Sequence, residues 1–280
     1  MDSTTKSFGS IDKLDQKSIR WRDEIISLFS LLIFVFSLRT FVIEPYNVPT
    51  ESLKPTILKG DYIIATKYSY GYSKYSLPFF LPLFEGRLFF SQPQRGDIVV
   101  FWPPKNVRQE RWVKRLIGLP GEKIEIIDGV ININDVPISK IATNRFIDEE
   151  GNRYNSFIEN LPNNCSYKII ESQNIYNGKR LYNTGPYYIP LGHYFFMGDN
   201  RDESLDSRID LGFVAEENLI AKGQIIHFSA AKLLLQLQGG FVHQFKQVGL
   251  WWNSIRWERM FSSLYKTPTQ KDKELDLNQK

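Results

Sequence analysis

The 280-residue chain is long enough for one large domain with a full apolar core, and its formal net charge of +4 is modest and spread along the chain. That charge lacks the concentrated basic character of a nucleic-acid binder, so no nucleic-acid partner is expected. A single cysteine, Cys165, excludes an intrachain disulfide and a thiolate metal cluster. The three histidines, His193, His227 and His243, have no His-x-x-x-His spacing, so we expect neither a metal site nor a cofactor.

A membrane-length apolar run follows a polar tail at residues 1–24. Residues 25–43 carry Arg39 as their sole charge, and a helix of this length spans roughly the ~30 Å hydrocarbon core of a bilayer. Glu44-Pro45 is expected to end the helix, because proline has no backbone N–H. No small-x-small cleavage site follows the run, which favours an uncleaved anchor over a removable secretory signal or a buried core helix.

Basic residues predict the orientation of this anchor. The nearest basic residues after the run are Lys54 and Lys59, whereas five precede it: Lys6, Lys13, Lys17, Arg20 and Arg22. Because cytoplasmic flanks are enriched in lysine and arginine, we expect the N-terminus inside and the chain after Glu44 outside.

The rest of the chain predicts β structure. Runs of β-branched and aromatic residues alternate with Gly, Pro, Asn and Asp, as in short strands of a barrel-like or coiled antiparallel sheet. The predicted strands are 61–67, 97–102, 112–118, 123–127, 130–133, 193–197 and 219–228. A shift toward Asn, Tyr, Ser and Gly after Asn144 predicts an inserted subdomain or a long excursion, which we place at 141–190 within a β domain formed by 44–140 and 191–230.

The last fifty residues, 231–280, change in composition again. Apolar groups rich in tryptophan are interleaved with Lys, Gln, Arg and His, a pattern equally typical of an amphipathic segment on a membrane surface and of a helix packed on the β core. The final stretch, 270–280, is charged and expected to be disordered.

Two residues stand out as candidate catalytic groups. Ser52 lies in a loop bounded by prolines, and Lys114 lies in a predicted strand with apolar neighbours on both faces. A serine nucleophile needs a base, and burial lowers the pKa of a lysine toward the range of a base. Taken alone, each residue is more often structural than catalytic. His193 or His227 is an alternative base, although no Gly-x-Ser-x-Gly motif is present.

Four segments, 48–63, 95–104, 112–124 and 198–208, resemble in order and spacing the conserved blocks of bacterial type I signal peptidase. The resemblance implies a mainly β fold, an antiparallel coiled β-sheet catalytic domain with an inserted β-rich subdomain behind one N-terminal transmembrane helix. It implies cleavage of signal peptides from exported precursors after a small-x-small motif, at the outer face of the bacterial inner membrane. The expected partners are signal peptides and the lipid bilayer, with translocation machinery as a further candidate.

The resemblance also assigns roles. It implies that Ser52 is the nucleophile, that Lys114 is the general base, and that the Thr50 hydroxyl joins the Ser52 N–H in an oxyanion hole. Ser204 corresponds to a serine that hydrogen-bonds the base, and Asp206 and Arg208 to an ion pair that stiffens the same loop. Apolar side chains are placed in the pockets for substrate residues −1 and −3, where they exclude bulk: Val48, Pro49, Leu53, Ile57, Ile63 and Val113.

Three positions depart from the family pattern, which more often has Ser at Thr50, Gly at Glu51 and Met at Leu53. Threonine keeps the hydroxyl and leucine keeps apolar volume. A carboxylate at Glu51 would oppose formation of the oxyanion unless it points to solvent. Two other interpretations are a calcium loop at 198–208, disfavoured by the lack of a glycine at the sixth position, and a non-catalytic membrane-anchored β protein that binds signal peptides or translocation machinery.

Overall fold

The structure is a computed structural model that describes residues 8–78, 84–104, 107–172, 181–230, 252 and 254–266. Within these ranges one α-helix, α1 (Phe8–Phe41), precedes fifteen β-strands, which confirms the predicted mainly β class with one N-terminal apolar helix. The strands are β1 (Ile43–Asn47), β2 (Asp61–Thr66), β3 (Ile98–Phe101), β4 (Trp112–Gly118), β5 (Lys123–Ile127), β6 (Val130–Ile133), β7 (Val136–Pro137), β8 (Ser139–Ile147), β9 (Arg153–Asn160), β10 (Ser166–Ser172), β11 (Thr184–Tyr188), β12 (His193–Met197), β13 (Val214–Ala215), β14 (Leu219–Ser229) and β15 (Ser262–Ser263).

The helix is longer than predicted at its start and two residues shorter at its end. Its segment Trp21–Phe41 has a mean hydropathy of 1.8 and is long enough to cross a membrane. Val42 donates the last helical hydrogen bond, to the Leu38 carbonyl at 2.9 Å. Pro45 has no N–H to donate to the Phe41 carbonyl and disfavours helical backbone before it, so Ile43 begins β1 instead.

The chain forms two compact units, Met1–Ile43 and Glu44–Lys280. The second unit is built on one large sheet with the strand order β1-β2-β14-β3-β4-β12-β13, and β15 pairs with β14. In this sheet β14 pairs antiparallel with both β2 and β3, and its irregular register bends and twists the strand. The pairing of β3 with β4 places Val99 opposite Lys114.

Two smaller sheets lie in and around the region predicted as an insertion. Strands β8, β9 and β10 form a three-stranded antiparallel sheet that begins at Ser139. Strand β11, late in the predicted insertion, instead completes the four-stranded sheet β11-β5-β6-β7, whose other strands precede residue 141. Residues 173–180 lie outside the described ranges, and the subdivision of 44–230 into two domains stays a prediction.

Strand β4 is buried on both faces, which is what places the candidate base in the interior. Leu116 packs in an apolar cluster with Val99, Phe101 and Phe196, whereas Ile117 packs in a second cluster with residues of the four-stranded sheet. Because side chains alternate along a strand, Lys114 and Arg115 also point to opposite faces. Both are nevertheless buried, at 5% and 1% exposure.

The C-terminal prediction falls largely outside the described residues, since 231–251, 253 and 267–280 are among those the structure does not describe. In the described part, Ile255 and Leu264 are buried, and β15 pairs with β14. Residues 254–266 therefore pack on the β core as a 3-10 turn and a short strand. Trp252 and Trp257 are exposed, with ring centroids 4.9 Å apart.

Candidate active site

Ser52 and Lys114 meet in the interior of the second unit. Ser52 lies in the loop between β1 and β2, Lys114 lies on β4, and both are buried, at 6% and 5% exposure. Lys114 Nζ lies 2.6 Å from Ser52 Oγ, a short hydrogen bond. A proton can pass between these two atoms without any intermediate group.

Burial lowers the pKa of Lys114 to about 8, because an ammonium ion loses its hydration in the interior. The charges of Asp206 and Asp199 oppose this shift, and that of Arg208 adds to it. The ammonium also lies 5.4 Å from the centre of the Trp112 ring. With a pKa of about 8, about a tenth of the lysine is neutral at pH 7, and this neutral form is the one that a general base requires.

The loop after β12, residues 198–208, packs directly against the nucleophile. Asn200 N donates to the Ser52 carbonyl at 3.1 Å. A Cβ at Gly198 would lie 2.2 Å from Ser204 Oγ and 2.5 Å from the Ser52 carbonyl, so only glycine allows this approach. Arg208 binds the Asp206 carboxylate through Nε at 2.9 Å and Nη2 at 2.7 Å.

Ser204 differs from its predicted contact. Its Oγ is buried but has no hydrogen-bond partner among the described residues, so the expected bond to Lys114 is not formed. Lys114 Nζ bonds Ser52 instead. Ser204 Oγ is nevertheless close to the nucleophile loop, given its position against Gly198.

Arg115 is a site residue that sequence reasoning set aside. Its guanidinium binds Asp199 through Nε and Nη2, both at 2.7 Å, and donates to the Gly96 carbonyl at 2.9 Å. Burial opposes its charge, but Asp199 outweighs that effect and raises the pKa of Arg115. The pair fastens β4 to the start of the 198–208 loop. The sequence did carry one sign of this pair: Arg115 lies in a strand that is apolar on both faces, where a buried charge needs a partner.

Two donors lie near the nucleophile. Thr50 is exposed, and its Oγ1 lies 3.4 Å from Ser52 Oγ. The Ser52 N–H has no acceptor in the described part of the chain. Both groups are available to bind an oxygen that develops negative charge next to Ser52.

A cavity of about 620 Å³ opens at Ser52 and Lys114. Three of the predicted pocket residues line it, Val48, Pro49 and Val113. The three others do not line it and are 0% exposed in the apolar core, so their role as pocket walls stays a prediction: Leu53, Ile57 and Ile63. These side chains fill the core beneath the loop, because leaving them exposed in the cavity would forgo apolar burial.

Charged residues also line the cavity, and the sequence did not point to them. Five of them line it together with Trp112 and Leu205: Arg108, Glu110, Arg111, Glu203 and Asp210. Arg111 is fixed by a 2.8 Å contact with buried Glu44. The lining of the cavity therefore combines apolar and charged side chains.

Glu51 does not leave an unpaired carboxylate beside the nucleophile. Its Oε2 lies 2.5 Å from Lys54 Nζ, and its side chain is 35% exposed. The charge that the sequence placed next to Ser52 is therefore neutralised by an ion pair rather than by solvent alone.

Neither histidine proposed as an alternative base bonds Ser52. His193 Nδ1 lies 3.0 Å from the Leu191 carbonyl, and His227 faces the edge of Tyr62 with ring centroids 6.2 Å apart. His243 lies outside the described residues. Within those residues, the side chains bonded to Ser52 Oγ are Lys114 and Thr50.

Comparison with known proteins now bears on this site. The family described as "Signal peptidase, peptidase S26" matches residues 21–228, which include α1 from Trp21 and the whole Ser52/Lys114 site. This chain belongs to the signal peptidase family, peptidase S26. The signal peptidase I of Rickettsia conorii is 49% identical over 235 residues, covering 82% of this chain and 88% of that protein. The signal peptidase I of Rickettsia typhi is 47% identical over 249 residues, covering 87% of this chain and 94% of that protein.

Membership of the signal peptidase family makes this protein a peptidase that cleaves signal peptides, and the apolar helix α1 fits a membrane-anchored protein. A crystal structure of a signal peptidase I from Enterococcus faecalis is 27% identical and covers 47% of this chain and 97% of that chain. Its TM-score is 0.27, which is too low to support an argument about the fold.

Proposed function

We propose that this signal peptidase is a serine endopeptidase that uses a Ser52/Lys114 dyad. One observation carries the proposal, the 2.6 Å contact between Lys114 Nζ and Ser52 Oγ in a site where burial lowers the pKa of Lys114 to about 8. A buried lysine with a lowered pKa can act as a base that a solvated lysine cannot.

In the proposed reaction, neutral Lys114 takes the Ser52 proton as Oγ attacks the carbonyl carbon of substrate residue −1. The Ser52 N–H and the Thr50 hydroxyl bind the oxyanion of the tetrahedral intermediate. The carbon–nitrogen bond then breaks, the Lys114 ammonium gives its proton to the leaving amine, and an ester on Ser52 remains. Lys114 next deprotonates a water that attacks the ester, and the proton passes to Ser52 Oγ as the ester bond breaks; the product leaves as a carboxylic acid that gives its proton to solvent.

We assign supporting roles to the 198–208 loop. Asp206 and Arg208 fix its backbone through their paired contacts, and Asp206 also accepts from Gly198 N at 3.0 Å. The unpartnered hydroxyl of Ser204 would gain a bond with the base when Lys114 Nζ turns from Ser52 toward the leaving amine. With this order of contacts, the proton passes only from Ser52 to Lys114 and from Lys114 to the leaving amine.

The apolar residues that line the cavity support cleavage after a small-x-small motif. Val48, Pro49 and Val113 stand beside Ser52 and leave room for small side chains at −1 and −3. The surplus of basic residues before Trp21 supports an N-terminus in the cytoplasm and a catalytic unit on the outer side of the inner membrane. Signal peptides emerging from translocation machinery would then reach the site, which makes that machinery a candidate partner.

The test compares cleavage of a precursor by the purified full chain in detergent with cleavage by Ser52→Ala and Lys114→Ala. We expect each variant to lose about 10³-fold or more in kcat, because the two residues act as a unit. As a control, Lys123→Ala changes a lysine on β5 outside the candidate site, and this variant should keep the kcat of the parent.

An active Lys114→Ala variant would contradict the Ser52/Lys114 dyad and would favour His193 or His227 as the general base. If the full chain bound precursor without cleaving it, the non-catalytic interpretation would hold instead. A circular dichroism spectrum equal to that of the parent shows that a loss of kcat is not a loss of fold.

A further inference from the structure

A second lysine, Lys54, lies two residues after the nucleophile and is nearly as buried as the base, at 5% exposure. Its Nζ contacts Glu51 Oε2 at 2.5 Å and Asp148 Oδ2 at 3.2 Å, and lies 5.1 Å from the centre of the Tyr154 ring. The proposed mechanism uses none of these groups. A buried lysine with two carboxylate partners therefore needs its own explanation.

The first contact controls the charge next to Ser52. Glu51 is the residue directly before the nucleophile, and its backbone carbonyl is held by Asn200 Nδ2 at 3.4 Å. A free carboxylate here would repel the oxyanion and favour the protonated form of a nearby base. Lys54 neutralises that carboxylate within the same turn, where Lys54 N also donates to the Glu51 carbonyl at 3.0 Å.

The second contact fastens the nucleophile loop to a distant part of the chain. Asp148 lies in the turn between β8 and β9, and its carboxylate accepts from Asn152 N at 2.8 Å and from Glu150 N at 3.0 Å. Burial opposes its charge, but the bonds from Asn152 and Lys54 outweigh this and lower the pKa of Asp148 to about 2. Asp148 is thus a fixed, charged anchor for the Lys54 ammonium.

We propose that Lys54 is a positioning residue for signal-peptide cleavage: it holds the Glu51 carboxylate away from the reacting oxygen and ties the Ser52 loop to the β8–β9 turn. The proposal rests on the Ser52/Lys114 dyad. It explains how this chain tolerates a carboxylate directly before its nucleophile.

The decisive variant is Lys54→Met, which removes the ammonium and keeps the apolar stem. We expect kcat for precursor cleavage to fall about tenfold with KM changed less than about twofold, because the loss acts on the transition state. The pH midpoint of kcat/KM should rise by about half a unit, since an unpaired charge at Glu51 favours protonated Lys114. The charged groups already acting on Lys114, namely Asp199, Asp206 and Arg208, are unchanged.

The matched rescue is Glu51→Gln in the Lys54→Met background. Removing the carboxylate that Lys54 neutralises should return the pH midpoint to the parental value and recover kcat to within about threefold. A lysine that only stabilised the fold would give no such recovery of the midpoint. Lys59→Met changes a nearby exposed lysine without a described ion pair and should leave kcat and the midpoint as in the parent.

Parental kcat and pH midpoint in Lys54→Met would overturn the proposal, and so would a double variant that folds but stays inactive. If Lys54→Met alone fails to fold, the double variant Lys54→Met/Glu51→Gln still tests the proposal, because it lacks both charges. A kcat recovered in the double variant supports the proposal, and a lost kcat contradicts it. Failure of the dyad is a separate result, because Ser52→Ala and Lys114→Ala test it with Lys54 in place.

Discussion

Lys114 shows how the surroundings of a residue decide its chemistry. A solvated lysine is protonated at neutral pH, whereas burial lowers the pKa of Lys114 to about 8. Burial is the largest cause of the shift, and the positive charge of Arg208 adds to it. The nearby carboxylates Asp199 and Asp206 limit the shift and keep the pKa in a range where the ammonium can also act as an acid.

A pH profile follows from this pKa at the residue scale. The base must be neutral to accept the Ser52 proton, so kcat/KM should rise with pH below about 8 and level off above it. Two units below the midpoint, only about 1% of the lysine is neutral and kcat/KM should be about a hundredfold below the plateau. Steady-state cleavage of a precursor in detergent between pH 6 and 10 measures this dependence of kcat/KM on pH. A profile that levels off near pH 6 would point to a histidine base.

At the scale of elements, the site depends on strand β4 and the 198–208 loop being joined. Arg115 on β4 binds Asp199, and within the loop Arg208 binds Asp206, which is 0% exposed. Both are charged pairs taken out of water, so removing one partner leaves the other uncompensated. These pairs are connections that keep Ser204 and Gly198 against Ser52.

Arg208→Met tests this connection. It leaves the Asp206 carboxylate buried with backbone donors from Gly198 and residue 208 alone, and we expect the free energy of unfolding to fall by about 3 kcal/mol. Equilibrium denaturant unfolding of the full chain in detergent measures the change. Arg145→Met, at an exposed position of β8, should change it by less than about 0.5 kcal/mol. Equal values for the two variants would contradict a structural role for the Asp206 pair.

At the scale of the whole molecule, the chain divides into an apolar helix and a β unit that carries the site. An enzyme that meets its substrate at a membrane needs its catalytic unit on the side where the cleavage point emerges. The basic residues before the apolar run at 25–43 favour a cytoplasmic N-terminus, so the orientation is open to a direct test.

The test uses single cysteines in a Cys165→Ser background. A membrane-impermeant maleimide added to cells with a permeabilised outer membrane should label Arg153→Cys, at the exposed first residue of β9, while the inner membrane is intact. Lys6→Cys, in the N-terminal tail, should be labelled only after lysis. The reverse pattern would overturn the predicted orientation.

Local sequence patterns were enough to predict the elements of this protein. The length of the apolar run predicted the helix, and runs of β-branched and aromatic residues between Gly, Pro, Asn and Asp predicted the bounds of β4, β5, β6 and β12, which the structure reproduces. Motif order predicted a signal peptidase, and the same motifs singled out Ser52 and Lys114, which lie in contact. Local signals suffice here because strand alternation and helix length are properties of neighbouring residues.

Which side chains face the cavity, and which ion pairs form, depends on long-range packing. Leu53 and Ile63 were predicted as pocket walls but fill the core, since apolar residues suit either place and packing selects between them. Arg115 pairs with Asp199, and Lys54 pairs with Asp148, each across segments far apart in the chain, and no local pattern specifies either pair.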